Sequence, residues 1–196
     1  AARCIIAVSA LLAVLLARPA AAIGTIATAA IMIDATTGAV LFEKAADVPM
    51  APASMSKIMT VYLVFERLRN ASLSLDDTFW VSENAWRKGG AKSGGSTMFL
   101  LPGKWVRVED LLRGIIVQSG NDACIVVAEA LASSELTFAE QLTKRGRELG
   151  LTASTFRNST GWPDPEHRMT PRDLATLALR TINDFPEYYH YYAEQA

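Results

Sequence analysis

The hydrophobic positions of this chain form short runs near its start and helical spacings after residue 52. Apolar residues 27–33 and 39–43 flank the turn sequence Asp34-Ala35-Thr36-Thr37-Gly38, and this arrangement predicts a β-hairpin. Residues 54–70 then carry apolar side chains at helical spacing around nearly the whole helix surface. Because a helix that is apolar on nearly all sides is buried, this segment is expected to form the centre of the core.

The second half of the chain predicts helices joined by short connections. Asn121 or Asp122 is expected to cap one of them, and Gly150 to end another. Residues 71–106 contain two Gly-Gly pairs and predict an irregular segment. The pattern therefore predicts one hairpin and at least five helices in a single domain. After residues 54–70, the predicted helices are residues 109–118, 121–132, 134–149, a helix opened by Thr170-Pro171, and a tail after Pro186.

The first twenty-two residues have the composition of a targeting segment rather than of a folded element. Arg3 precedes an apolar run over residues 4–17, and the segment ends in Ala20-Ala21-Ala22. A positive residue, an apolar stretch and a small-residue cleavage site are typical of a secretory signal peptide. We therefore expect residues 1–22 to be a signal peptide and residues 23–196 to belong to an exported catalytic domain.

Composition narrows the class of protein further. The chain has 196 residues, of which 51% are apolar and 20% charged, with a formal net charge of −1. These values exclude a disordered or low-complexity protein, and no clustered basic excess indicates a nucleic-acid partner. If Cys4 leaves with the signal peptide, Cys124 is the single remaining cysteine. Its apolar helical context predicts a buried side chain rather than a reactive thiol.

The candidate chemistry begins with Ser54-Met55-Ser56-Lys57. A serine hydroxyl becomes a good nucleophile when an adjacent base takes its proton, and Lys57 lies one helical turn from Ser54. A lysine can be that base if burial lowers its pKa. The alternative is structural: Ser54 would cap the helix and Lys57 would be solvated.

A second polar group, Ser119-Gly120-Asn121, lies between two predicted helices. It could present a hydroxyl and an amide to a cleft, or Asn121 could simply cap the following helix. Ser82-Glu83-Asn84 has the same Ser-x-Asn pattern, so the pattern alone does not decide between these possibilities.

Together, these segments resemble those of the serine-type D-alanyl-D-alanine carboxypeptidases, the low-molecular-mass penicillin-binding proteins. Residues 52–60 resemble the active-serine motif of that family, and residues 117–123 its second motif. The resemblance extends in order over nearly all of residues 27–196. The other segments that carry it are residues 94–100, 111–114, 158–162 and 170–174.

The resemblance implies a fold and a set of roles. The fold would be the α/β fold of the penicillin-recognising serine enzymes, related to β-lactamases, with an antiparallel sheet beside a helical subdomain. Ser54 would form the acyl-enzyme, Lys57 would accept its proton, Ser119 would help to protonate the leaving group, and Asn121 would bind the substrate amide. The implied partners are the peptidoglycan stem peptide and, as covalent inhibitors, β-lactams, with no metal or organic cofactor.

One part of the family pattern is missing from this sequence. The third motif, Lys-Thr-Gly or Lys-Ser-Gly on a strand, does not occur after Asn121, and Lys92-Ser93-Gly94 precedes Ser119 in a Gly-rich segment where a strand is not expected. We therefore expect the chain to be an amino-terminal fragment of a periplasmic enzyme and to be inactive as it stands. The remaining sheet strands and a carboxy-terminal anchor at the inner membrane would lie beyond it.

Two enzymatic alternatives and one non-enzymatic alternative stay open at this point. A serine β-lactamase shares Ser-x-x-Lys, although Gly120 and the sequence around Glu166 do not fit the class A enzymes. A Ser-His-Asp triad would need His167 or His190, and for His167 we expect a structural or rim role. The third alternative is a catalytically dead remnant.

Overall fold

The computed structural model of the chain describes residues 24–195, so the predicted signal peptide and Cys4 lie outside the described residues. The described part contains two short antiparallel ladders and six α-helices. The strands are Ala30–Ile33 (β1), Val40–Lys44 (β2), Thr78–Trp80 (β3) and Trp105–Arg107 (β4). The α-helices are Lys57–Arg69 (α1), Glu83–Gly89 (α2), Val108–Ile116 (α3), Asn121–Ala132 (α4), Glu135–Glu148 (α5) and Pro171–Asp184 (α6), with 3₁₀ turns at Ala53–Ser56, Ala91–Ser93 and Tyr189–Ala193.

The predicted hairpin is confirmed as the β1–β2 ladder. Its turn is organised by Asp34, whose carboxylate accepts hydrogen bonds from the main-chain N–H groups of Thr36 and Thr37 at 2.9 and 2.8 Å. Helix α6 packs against β1. A further antiparallel bridge between Met50 and Met169 ties the segment after the hairpin to the residues before α6.

Helix α1 lies in the core, as the apolar spacing predicted. Met59, Val64 and Phe65 are fully buried, and α1 contacts α3, α5 and α6. The α-helix begins at Lys57, three residues later than predicted, because residues 53–56 form a 3₁₀ turn in which Ala53 has φ +49°. Helix α4 is likewise buried along its first two turns, and Cys124 is buried within it, as expected.

The prediction of an irregular segment at residues 71–106 is wrong. This stretch contains β3, α2 and β4, and β3 pairs antiparallel with β4. The strands have three residues each, too few for an alternating pattern to be detected. Helix α2 is started by Ser82, whose hydroxyl accepts a hydrogen bond from the Ala85 main-chain N–H at 2.9 Å.

The ends of the remaining helices follow ordinary capping chemistry. Thr170 caps α6 and Ser134 caps α5, each through its side-chain oxygen. The cap of α4, however, is Gly120 and not Asn121 or Asp122, so both of these side chains are free for other contacts. Among the helices of residues 24–195, none combines the length and the apolar character needed to cross a membrane.

Candidate active site

Ser54 and Lys57 face each other across the turn that leads into α1. Lys57 Nζ lies 3.0 Å from Ser54 Oγ. Ser54 is exposed, whereas Lys57 is only 4% exposed. The structural alternative for this pair is wrong on both counts, because neither the 3₁₀ turn nor α1 has a side-chain cap and the lysine is not solvated.

The Ser119-Gly120-Asn121 segment meets Lys57 from the other side, 62 to 64 residues further along the chain. Lys57 Nζ donates to the main-chain carbonyl of Ser119 at 2.8 Å and to Asn121 Oδ1 at 2.7 Å, and lies 3.0 Å from Ser119 Oγ. Ser119 has φ +55°, a left-handed conformation that costs free energy for a residue with a side chain. The structure thus brings together all four residues that the sequence singled out.

Burial changes the acid–base properties of the lysine. Desolvation lowers the pKa of Lys57 from its ordinary value, against the opposing influence of Cys124 and Asp122. A lowered pKa increases the fraction of the neutral amine near neutral pH, and the neutral amine is the form that can accept a proton. Burial raises the pKa of the Cys124 thiol to about 12, so this cysteine is not a competing nucleophile.

A cavity of about 290 Å³ opens onto Ser54. Because Asn121 uses its Oδ1 to hold Lys57, its Nδ2 amide group remains available on the side of the cavity. The cavity walls come from four parts of the chain, and its volume lies at the lower end of the range for small-ligand sites. Its lining residues are Ala51, Pro52, Ala53, Ser54, Gly95, Ser96, Asn121, Gly161, Trp162, Pro163, Asp164 and His167.

Asp122 holds one wall of this cavity, a function that the sequence did not indicate. Its fully buried carboxylate accepts hydrogen bonds from Thr97 Oγ1 at 2.7 Å, from the Met98 N–H at 2.9 Å and from the Leu100 N–H at 3.0 Å. The Asn121 N–H adds a bond to the Ser96 carbonyl. The segment before β4 is therefore attached to the start of α4.

A second wall is formed by the loop at residues 158–162, which contributes Gly161 and Trp162. Asn158 Oδ1 accepts from the main-chain N–H groups of Thr160, Gly161 and Trp162, which folds the loop upon itself. Thr60 of α1 donates to the Ser159 carbonyl at 2.8 Å and fixes the loop against the helix. The resemblance included this loop, but the anchoring by Thr60 was not predicted.

Two glycines allow the close approach of these segments. A Cβ on Gly161 would lie 1.9 Å from the Ala53 carbonyl oxygen, next to Ser54. A Cβ on Gly95 would lie 2.7 Å from Asn121 Nδ2. Both positions therefore require glycine if the site is to keep its geometry.

The other candidates make no hydrogen bond to Ser54 or Lys57. Lys92-Ser93-Gly94 is in a 3₁₀ turn, not a strand, as expected, and Lys92 lies over the ring of Trp86. Glu166 is 69% exposed at its side chain and pairs with Arg157. His167 lines the cavity but is absent from the hydrogen bonds of Ser54 and Lys57, which fits a rim or structural role.

Most of this chain is similar in sequence to known proteins. A sequence profile of the family described as D-alanyl-D-alanine carboxypeptidase matches residues 17–196. D-alanyl-D-alanine carboxypeptidase DacC of Escherichia coli is 42% identical over 170 residues, which are 86% of this chain and 42% of that protein. DacF of Bacillus subtilis is 39% identical over 156 residues, 80% of this chain and 39% of that protein. The chain thus spans about two fifths of the length of these curated relatives.

Solved structures confirm the expected fold. The D-alanyl-D-alanine carboxypeptidase DacD from Francisella tularensis superposes with a TM-score of 0.84 at 38% identity, covering 90% of this chain and 41% of that one. Penicillin binding protein 5 from Haemophilus influenzae gives a TM-score of 0.85 at 33% identity, covering 90% and 51%. The described residues correspond to part of the α/β fold of the penicillin-recognising serine enzymes. The chain therefore belongs to the D-alanyl-D-alanine carboxypeptidase family.

Proposed function

We propose that the protein removes the terminal D-alanine of peptidoglycan stem peptides through an acyl-enzyme on Ser54. The observation that carries this proposal is the position of Lys57: a buried amine within hydrogen-bond distance of two serine hydroxyls and one amide oxygen. That arrangement supplies a nucleophile, its base and a second proton carrier at one point beside a cavity.

In the proposed acylation, Lys57 Nζ takes the proton of Ser54 while Ser54 Oγ attacks the carbonyl carbon of the penultimate residue. The tetrahedral intermediate collapses as the C–N bond breaks, and the proton passes from Lys57 through Ser119 Oγ to the departing amine. The main-chain N–H of Ser54 contributes to the binding of the oxyanion. Water then hydrolyses the ester and regenerates Ser54. No step needs a metal ion or an organic cofactor.

Asn121 is proposed to have two tasks in this reaction. Its Oδ1 holds Lys57 at 2.7 Å, and its Nδ2 binds a carbonyl oxygen of the peptide in the cavity. The cost of the strained conformation at Ser119 fits this proposal, because strained residues are concentrated at functional sites.

β-Lactams are expected to acylate the same serine, and the resulting acyl-enzyme is expected to hydrolyse slowly. Rapid β-lactam turnover would instead indicate a β-lactamase. Two features argue against that alternative: Gly120 occupies the middle of the second motif, and Glu166 pairs with Arg157 at the surface instead of facing Ser54. We further propose that residues 1–22 direct export, that residues 23–196 belong to the catalytic domain, and that the enzyme works in the periplasm.

The test uses the whole product of the gene, purified from its host cell. This protein is incubated with a peptide that ends in D-alanyl-D-alanine. We expect release of one D-alanine per peptide, and no release by Ser54→Ala. Release of other residues, or unchanged release by Ser54→Ala, would contradict the proposal. If the wild-type protein neither releases D-alanine nor becomes acylated by a penicillin, the protein is catalytically dead, as the third alternative holds.

A further inference from the structure

The indole nitrogen of Trp162 is an N–H donor without a partner beside the proposed active site. Trp162 is half-buried and lines the same cavity as Ser54 and Asn121. Within the described residues, all of its hydrogen bonds involve its main chain. The side-chain N and O atoms that are both enclosed and unpaired there are His167 Nε2 and Tyr192 Oη. Trp162 Nε1 is not one of them, so the indole N–H is accessible to a ligand.

A second free donor lies next to Trp162 Nε1, above the bare main chain of Gly95. A Cβ on Gly95 would lie 2.7 Å from Asn121 Nδ2, 3.6 Å from Trp162 Nε1 and 3.7 Å from Ser93 Oγ. Gly95 is exposed and lines the cavity. The Asn121 Nδ2 group also donates to no described residue, yet it is not fully enclosed. Two accessible N–H groups therefore flank one point of the cavity, and neither has an acceptor.

The main chain around Trp162 is held firmly in place. Asn158 Oδ1 accepts from the Trp162 N–H at 3.1 Å, and Asn158 Nδ2 donates to the Trp162 carbonyl at 3.0 Å. On one side, Gly161 has φ +82° and packs against the Ala53 carbonyl. On the other side, the ring of Pro163 fixes the backbone. A donor that is already positioned loses little entropy when it binds a ligand.

The place of these donors relative to the nucleophile indicates which oxygen of a peptide they suit. Lys57 Nζ contacts both Ser54 Oγ and Asn121 Oδ1, so the amine separates Asn121 from the attacking atom. The carbonyl under attack is assigned to the main-chain N–H of Ser54. A carbonyl oxygen has two lone pairs and can accept from two N–H groups at once. The free donors therefore suit the next carbonyl, on the amino side of the attacked residue.

We propose that Trp162 is a positioning residue for the peptide substrate. Its Nε1–H donates, together with Asn121 Nδ2, to the carbonyl oxygen that precedes the attacked residue. This inference rests on the proposed function, because that function places the peptide in the cavity and assigns one of its carbonyls to Asn121. The alternative is an apolar wall, to which Trp162 would contribute only the surface of its rings.

Two substitutions separate the donor from the apolar wall. Trp162→His keeps a five-membered ring, and its Nε2 is two bonds from Cγ, as the indole nitrogen is, so an N–H can occupy the same place. Trp162→Phe keeps an apolar aromatic ring without a donor. An apolar wall predicts that Phe is the better replacement, whereas the positioning role predicts that His is. Trp80→Phe is the matched control, because Trp80 is 48% exposed and does not line the cavity.

The experiment uses the whole product of the gene, purified from its host cell, and two penicillins at about pH 8, where an ordinary histidine is neutral. Benzylpenicillin carries an amide carbonyl on the amino side of the attacked carbonyl, whereas 6-aminopenicillanic acid has a free amine there. We expect Trp162→Phe to slow acylation of Ser54 by benzylpenicillin about fivefold, and Trp162→His to stay within about twofold of the wild type, because one neutral hydrogen bond is at stake. Acylation by 6-aminopenicillanic acid should be unchanged in both, and Trp80→Phe should change neither rate.

A peptide ending in D-alanyl-D-alanine is measured in parallel. We expect its KM to rise about fivefold in Trp162→Phe with kcat unchanged. An unchanged KM, a higher KM in Trp162→His than in Trp162→Phe, or equal slowing of acylation by both penicillins overturns the positioning role and leaves the proposed function intact. If the wild-type protein is acylated by neither penicillin and releases no D-alanine, the proposed function fails and this inference fails with it.

Discussion

Lys57 is the residue on which the arrangement of the site depends. Its amine reaches Ser54 within its own turn and both Ser119 and Asn121 from a distant segment. As an ammonium it has three N–H donors and no acceptor; as a neutral amine it gains a lone pair that can take the Ser54 proton. The proposed chemistry therefore depends on a lysine that is held tightly and is also deprotonated part of the time.

Replacing Lys57 by Arg is expected to slow acylation by penicillin about 10²- to 10⁴-fold, because arginine stays protonated and cannot act as a base. The measurement is the rate of labelling by a fluorescent penicillin. Lys92→Arg is the matched control, since Lys92 belongs to the Lys-Ser-Gly sequence that lies in a 3₁₀ turn, and it should leave the rate unchanged. Equal rates in both variants would remove Lys57 from the mechanism.

The rate of acylation should also rise with pH. The base is the neutral amine, and because burial lowers the pKa of Lys57, a larger neutral fraction exists at a given pH than for an exposed lysine. We expect the rate to increase as pH is raised and to level off below the ordinary lysine pKa of about 10.4. A rate that falls steadily between pH 6 and pH 9 would show that a protonated group is required instead.

At the scale of elements, the site is a junction between the start of α1, the start of α4 and the loops at residues 95–100 and 158–162. The local part could be predicted from the sequence, because Ser54 and Lys57 are three residues apart at the start of a strongly apolar segment. The approach of Ser119 and Asn121 was not readable from spacing alone, since it depends on how α1 packs against the helices around it. That part of the prediction came from the family resemblance.

Gly95→Ala is expected to slow acylation about 10- to 100-fold, since the added Cβ would lie 2.7 Å from Asn121 Nδ2 and displace the amide that holds Lys57. The control is Gly94→Ala. Gly94 has φ +74° and open space around it, so its substitution costs backbone strain of about 1 kcal/mol without touching Asn121. Labelling rates and thermal stability are measured for both. If Gly94→Ala slows acylation as much as Gly95→Ala, contact with Asn121 is not the cause.

Asp122→Ala is expected to destabilise the protein by about 3–5 kcal/mol, because it leaves Thr97 and the main-chain N–H groups of Met98 and Leu100 buried without an acceptor. Chemical denaturation gives the free energy of unfolding. Asp76→Ala serves as control: it removes an exposed pair with Arg107 and should cost at most about 1 kcal/mol. Similar losses in the two variants would mean that Asp122 does not anchor the wall of the cavity.

At the scale of the whole molecule, the described helices and loops suffice to form the site, whereas the described strands form only two short ladders. In the described residues, β1 and β2 pair only with each other, and Met32, Val40 and Leu41 are exposed. The sequence predicted the hairpin and the buried helices α1 and α4 well, because their apolar patterns are long or punctuated by clear turns. It missed β3 and β4, because strands of three residues are too short for an alternating pattern to be detected.

The most direct test of the central claim is to label the gene product, as its host cell makes it, with a fluorescent penicillin and to locate the adduct by mass spectrometry. Trypsin releases residues 45–57 as one peptide, which contains Ser54 and Ser56. We predict one adduct per molecule on Ser54, which is lost in Ser54→Ala. The adduct is retained in Ser56→Ala, because the hydroxyl of Ser56 in the wild type donates to the Ala53 carbonyl and is not the proposed nucleophile. An adduct elsewhere, or undiminished labelling of Ser54→Ala, would contradict the account.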